Sequence, residues 1–245
     1  MKLTFFGTSH GHPEVGRYCS SVYIQHGGVG FVVDVGAPVE YLFKNKGIAA
    51  ETVKAYFLTH MHTDHAEGLV SIAKAYLGYR KTGDTDVFFA EEAAIEPYEN
   101  WMKALHMPLK NHPCFRLHTT QPGVVYENYG IRVSAVRTEH IAKDIPSYSY
   151  IFESDDGKRV LFTGDLSHDF HDFPAIACET EFDLIVSELT HLTSDKAQPI
   201  LDRAKTKLMI FSHVTPSNIA LLEEKKLSFH FPHLVANDGL EYFVV

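Results

Sequence analysis

The chain has 245 residues, 45% hydrophobic and 22% charged, which is enough for one large domain with a sizeable core. Its 31 acidic against 22 basic side chains give a formal charge of −9, which argues against non-specific nucleic-acid binding through a broad basic surface but leaves a small phosphate substrate open. No apolar run reaches the ~20 residues of a membrane span, and three cysteines, Cys19, Cys114 and Cys178, in no C-x-x-C spacing suit a reducing cytoplasm.

The opening, from Met1 to Gly7, meets a glycine before any adequate signal-peptide core and reads as a first strand over 2–6. Residues 20–25 and 30–34 read as two more strands, joined at Gly27-Gly28. A short helix over 38–46 stops at Gly47, and an apolar strand over 55–58 leads into a helix over 66–77. A strand follows at 86–89, then helical spacing over 90–105 despite Pro97. The stretch 106–122 has three prolines and no clean period, so it reads as a long loop and a candidate lid.

Two hairpins come next: 124–126 with 131–136 across Asn128 to Gly130, and 147–153 with 159–162 across Asp155-Asp156-Gly157. Strands at 184–186, 208–211 and 241–245 alternate with helices at 195–204 and 216–226, the latter opened by Pro216. No internal repeat and no Ser-, Gly- or Pro-rich linker divides the chain, so 1–245 is expected to form a single domain. Two blocks of strands, each followed by helices, predict a β-sandwich flanked by helices.

Chemistry concentrates in Thr59-His60-Met61-His62-Thr63-Asp64-His65, three imidazoles and a carboxylate in six positions after an apolar strand. In extended chain His60 and His62 face the same way, while Asp64 and His65 fall at a helix entrance. Asp64 with Glu67 also makes a D-x-x-E pattern, so helix capping is an alternative role for Asp64. Further metal-competent side chains sit where later strands end: His140 after 131–136, Asp165 after 159–162 and His213 after 208–211. Imidazole and carboxylate in this ratio suit zinc, with manganese or iron open.

The cluster, then a His, a Gly-Asp pair and a His after a late strand, resembles the motif series of the metallo-β-lactamase superfamily. The resemblance implies the αββα four-layer sandwich of that fold, with two mixed sheets flanked by helices, and two divalent metal ions. It implies His60, His62 and His140 on one metal, Asp64, His65 and His213 on the other, and Asp165 bridging. His62 stands where the diiron flavoproteins of the superfamily have Glu, which favours zinc. Asp34, ending the third strand, matches a family Asp that orients a ligand from outside.

The opening Phe6-Gly7-Thr8-Ser9-His10-Gly11-His12-Pro13, with Ser20-Ser21 after Arg17, resembles the start of the ribonuclease Z and cyclic phosphodiesterase branch. Residues 185–191 are similar to that branch's His-Glu-Ala-Thr segment, but Ser187 stands in place of the His and His191 is the nearby substitute. No tRNA-gripping basic arm is found. The resemblance thus implies hydrolysis of a small phosphodiester, cyclic phosphate or short oligonucleotide by a hydroxide held between two metals, with Asp64 catalytic. Because Ser187 departs from the branch's pattern, His191 is either a catalytic proton donor from a shifted position or a plain loop residue, with His10 or His12 as substitute donors. His10 and His12 are candidate substrate contacts, and Lys143 and Arg17 candidate phosphate clamps. Hydrolysis of a carboxylic ester, thioester or lactone on the same metals is the alternative, as is a metal-stabilised binding or sensing protein without turnover. A homodimer is compatible with all three.

Overall fold

The computed structural model of the chain describes residues 1–77, 83–109, 112–192 and 195–245. The first half contains β1 (Lys2–Gly7), β2 (Ser21–His26), β3 (Val29–Val33), α1 (Val39–Lys46), β4 (Val53–Phe57), α2 (Thr63–Ala66), α3 (Leu69–Leu77), β5 (Thr85–Phe89), α4 (Ile95–Ala104) and β6 (Phe115–Thr119). The second contains β7 (Gly123–Asn128), β8 (Ile131–Ala142), β9 (Ile145–Ser154), β10 (Arg159–Phe162), α5 (Ile176–Glu179), β11 (Leu184–Ser187), α6 (Ala197–Leu201), β12 (Met209–Phe211), α7 (Pro216–Glu223), β13 (His233–Val235) and β14 (Glu241–Phe243). They build two seven-stranded sheets, ordered β14-β1-β2-β3-β4-β5-β6 and β13-β12-β11-β10-β9-β8-β7. Hairpin-connected strands pair antiparallel, and pairing turns parallel from β3 to β6 and from β10 to β13, where longer connections cross over.

Alternation along the strands makes the layers. Phe31 and Val33 of β3, Ala55 and Phe57 of β4, Val133 of β8 and Phe152 of β9 point between the sheets into a shared core. The intervening residues, such as Val32, Tyr56 and Val87, face α1, α3 and α4 in a second core on the outer side. Ile151, Leu161, Ile185 and Phe211 do the same for the other sheet, under α5, α6 and α7. Strands apolar on both faces require cover on both faces, and the result is the expected αββα arrangement.

Several elements depart from the sequence reading. The helix expected over 66–77 starts at Thr63 and is split by Gly68, where a Cβ would lie 2.3 Å from the Val35 carbonyl oxygen. The stretch 106–122 is not a continuous loop: Met107 and Leu109 join the outer core, and residues 115–119 form β6 beside β5. That strand alternates Phe115 and Leu117, which face the outer core, with Arg116, which donates two 2.8 Å hydrogen bonds to Asp86, and His118, whose ring lies 2.6 Å from the same carboxylate. Strand β13 was not expected, and β14 crosses back to pair with β1 in the first sheet.

Gly36 brings α2 against the end of β3. A Cβ there would lie 1.7 Å from the Asp64 carbonyl oxygen, which belongs to backbone and cannot rotate away. Gly36→Ala is therefore expected to cost roughly 1–3 kcal/mol, as overpacking does. A thermal melt should show a drop of about 3–10 °C, and an unchanged midpoint would contradict the close packing.

Candidate metal centre

Strand β4 ends at Phe57, and the chain continues extended through His62, which sits at the N-cap position of α2 without capping it. His60 and His62 thus emerge two residues apart on one side, with ring centroids 4.6 Å apart, while Asp64 and His65 lie inside the short helix. Asp64 makes no side-chain cap; its Oδ2 lies 3.2 Å from His213 Nε2 and 3.4 Å from His65 Nε2. His213 follows β12 in a left-handed conformation (φ 59°), and Asp165 follows β10 after Gly164.

His140 reaches the centre differently from the expectation. It does not follow a strand end but lies within β8, which runs to Ala142. Between the pairs Thr138 with Ser147 and Ala142 with Ile145 the register slips, so that Glu139, His140 and Ile141 oppose only Pro146. This bulge turns the His140 ring inward, with Nδ1 3.1 Å from the Leu166 carbonyl and Nε2 3.3 Å from His62 Nδ1.

All seven residues expected as metal ligands are brought together. His60, His62 and His140 form one group, Asp64, His65 and His213 another, and His60, His65 and Asp165 link them, with donor atoms in each group within 4.8 Å of one another. Asp165 Oδ1 faces one group, 3.4 Å from His65 Nε2 and 3.6 Å from His213 Nδ1, while Oδ2 lies 3.7 Å from His140 Nε2 and 3.8 Å from His60 Nε2.

A divalent cation fits this donor set. His60 Nε2, His65 Nε2, His213 Nδ1 and Asp165 Oδ1 are buried without a hydrogen-bond partner. Each such atom costs about 1–3 kcal/mol if left unpaired, and here they converge on one another. Burial, with the neighbouring imidazoles, lowers the pKa of His60, keeping it neutral as a ligand must be. Burial alone would raise the Asp64 and Asp165 carboxyls, but His213 and His65 outweigh it and both are held low, as ionised acceptors.

Asp34 stands behind this arrangement. It too is left-handed (φ 59°) and accepts from the Thr59 backbone N–H (2.8 Å), the Thr59 hydroxyl (2.9 Å) and His65 Nδ1 (2.7 Å). It therefore fixes the tautomer that leaves His65 Nε2 free to face Asp64 and Asp165. Asp34→Ala should weaken metal affinity roughly 10–100-fold, measured by competition with a chromogenic chelator. An affinity equal to that of the native chain would remove this role.

His191 lies at the rim, 31% exposed, with Nδ1 3.8 Å from Asp165 Oδ2. Sequence reading missed its partner Glu188, which is almost wholly buried. Glu188 accepts from the His191 backbone N–H (2.8 Å), lies 2.8 Å from His191 Nδ1 and also accepts from the Leu166 N–H (2.7 Å). Burial works against charge on His191, but Glu188 outweighs it and raises the pKa to about 9. The signal was the three-residue spacing just past a strand. Asp172, also missed, accepts from the Glu139 and Ser167 backbone N–H groups at 2.7 and 3.0–3.2 Å, tying the His140 bulge to the Asp165 loop.

His10 sits on a loop whose Gly11 N–H faces His213 Nε2 at 3.4 Å, and its buried Nδ1 has no hydrogen-bond partner; His12 is exposed on the same loop. Lys143 is exposed at the β8–β9 turn. Arg17 is not available as a phosphate clamp, because its guanidinium is engaged by Thr8, Glu14 and Val214.

The profile of the family described as "Anti-Pycsar protein Apyc1" matches residues 1–199. The chain belongs to that family. It is also similar to ribonuclease Z of Crocosphaera subtropica, with 31% identity over 159 residues, 63% of this chain and 49% of that one. The chain spans about half the length of the curated relatives it matches. Among solved structures, YhfI from Bacillus subtilis superposes with a TM-score of 0.78 at 20% identity over 99% of both chains. The short form of human tRNase Z gives 0.75 at 17% identity over 100% of both. The family member has the metallo-β-lactamase fold that YhfI displays. Among the described residues, no helix is long and apolar enough to cross a membrane.

Proposed function

We propose that the chain, read as one metallo-β-lactamase-like domain over 1–245, is a metal-dependent phosphodiesterase acting on a small phosphodiester, cyclic phosphate or short oligonucleotide. The observation that carries this reading is the Asp165 carboxylate, whose two oxygens face two separate histidine-rich groups. His60, His62 and His140 would hold one divalent ion, Asp64, His65 and His213 a second, and Asp165 both; zinc suits the donor set best. Bound ions of this kind polarise a phosphoryl oxygen and bring the pKa of water toward ~7.

The remaining chemistry belongs to side chains. His191, oriented by Glu188 through Nδ1, lies at the rim and would give the leaving alkoxide its proton. Asp34 holds His65 in place while a substrate binds, and Asp64 stays ionised opposite His213. His10 and His12 supply contacts from the loop beside His213. The formal charge of −9 favours a small or short substrate over a long polyanion. The unpaired cysteines fit a cytoplasmic setting.

The test is a panel of cyclic nucleotides, chromogenic phosphodiesters, carboxylic esters, thioesters and lactones with the zinc-loaded protein. Turnover of phosphodiesters is expected. Turnover of esters alone would overturn the reading, and two bound metals without any turnover would favour a binding or sensing role.

A further inference from the structure

The loop between β1 and β2 is tied to the turn that carries His213 by a set of hydrogen bonds that the proposed chemistry does not use. The His213 backbone N–H donates to the Thr8 carbonyl at 3.1 Å. Arg17 donates to that same carbonyl through Nη2 and to the Val214 carbonyl through Nη1 at 3.2 Å, so one guanidinium spans both sides of His213. Its Nε donates to the Thr8 hydroxyl at 3.1 Å, and that hydroxyl donates to Asp238 Oδ1 at 2.8 Å. Asp238 Oδ2 accepts from the Tyr18 N–H at 2.6 Å, closing the loop back on its own far end. Thr8 is fully buried and the Arg17 side chain 14% exposed, so the inner part of the assembly is shielded from water while the Tyr18–Asp238 bond lies at the surface.

His213 is one of six described non-glycine residues with positive φ, a sparsely populated conformation that the hydrogen bonds on either side of it hold in place. From that conformation its Nε2 meets Asp64 Oδ2 at 3.2 Å, and the loop's Gly11 N–H donates to the same nitrogen at 3.4 Å. A planar fork with several fixed donors suits the task of bridging two carbonyls, which a point-charge ammonium cannot do from one position.

We propose that Arg17 and Asp238 are positioning residues for the Asp64, His65 and His213 half of the metal centre, holding His213 at the angle from which it accepts the second cation. The inference rests on the two-metal reading. The loop then serves as a brace for one of the two cations, and its effect is local to that half.

Zinc titration of the metal-free full chain by calorimetry tests this, alongside Arg17→Met, Asp238→Asn and a control, Val53→Ala, at the opposite end of β4. The native chain should bind about two ions per chain. Arg17→Met should weaken the second by roughly 10–100-fold and leave the first within about twofold. Val53→Ala should melt earlier with both affinities unchanged, which separates positioning from general destabilisation. A folded Arg17→Met that binds both ions as the native chain does overturns the proposal. If Arg17→Met gives no cooperative melt, Asp238→Asn decides, the same one-sided loss supporting the proposal and native binding overturning it. A native chain that binds no divalent ion overturns the two-metal reading itself, a result distinct from a native two-ion chain whose variants behave normally.

Discussion

Replacing Asp165 by alanine is expected to lower the metal content of the purified protein from about two ions per chain to one or none. The side chain is 3% exposed and both oxygens face imidazoles, so no water-exposed group can take its place. Its loss also leaves the His65, His213 and His60 nitrogens without the carboxylate that lies between them. Phosphodiester hydrolysis should fall on the order of 10³-fold, the effect of removing several kcal/mol of charge stabilisation. Elemental analysis of the variant is the direct measurement, with His60→Ala beside it. Two ions retained at native affinity by Asp165→Ala would remove the shared-carboxylate centre from consideration.

A second large effect is expected far from any solvent. Phe57, the last residue of β4, is fully buried between the sheets. Its ring stacks on Phe88 at 4.9 Å and meets Tyr150 and Phe152 at 5.4 Å each. Phe57→Ala removes the central ring of this cluster and should cost about 3–5 kcal/mol, out of a total stability of roughly 5–15 kcal/mol. Thermal denaturation should shift down by about 10 °C or more. Because β4 delivers His60 three residues later, zinc at a thousandfold excess over its dissociation constant should return about 4 kcal/mol. A melt unaffected by the substitution would mean that this cluster does not carry the sandwich core.

Local chemistry is what made the centre readable. His60, His62, Asp64 and His65 fall within six positions after an apolar strand, and Asp165 and His213 follow two further strands directly. Strand and helix periods in the two halves of the chain likewise point to two sheets with outer helices. What escaped was set by partners distant in sequence. The bulge that aims His140 arises from unequal residue counts on β8 and β9, which neither strand displays alone. β6 escaped among Pro108, Pro113 and Pro122 although Phe115-Arg116-Leu117-His118 alternates as a strand does, and its polar face is matched by Asp86, thirty residues upstream of Arg116. Asp172, Arg17 and Asp238 hold backbone groups, and a carboxylate or guanidinium chosen for that purpose carries no local pattern.

The two histidine-rich groups draw their donors from opposite layers of the sandwich. His60, His62, Asp64 and His65 follow β4 of one sheet, whereas His140, Asp165 and His213 belong to β8, β10 and β12 of the other. A cation entering this seam is therefore a rivet between two plates. In the proposed two-metal state the ions would be captured only once the plates lie face to face, and would then hold them together at that end.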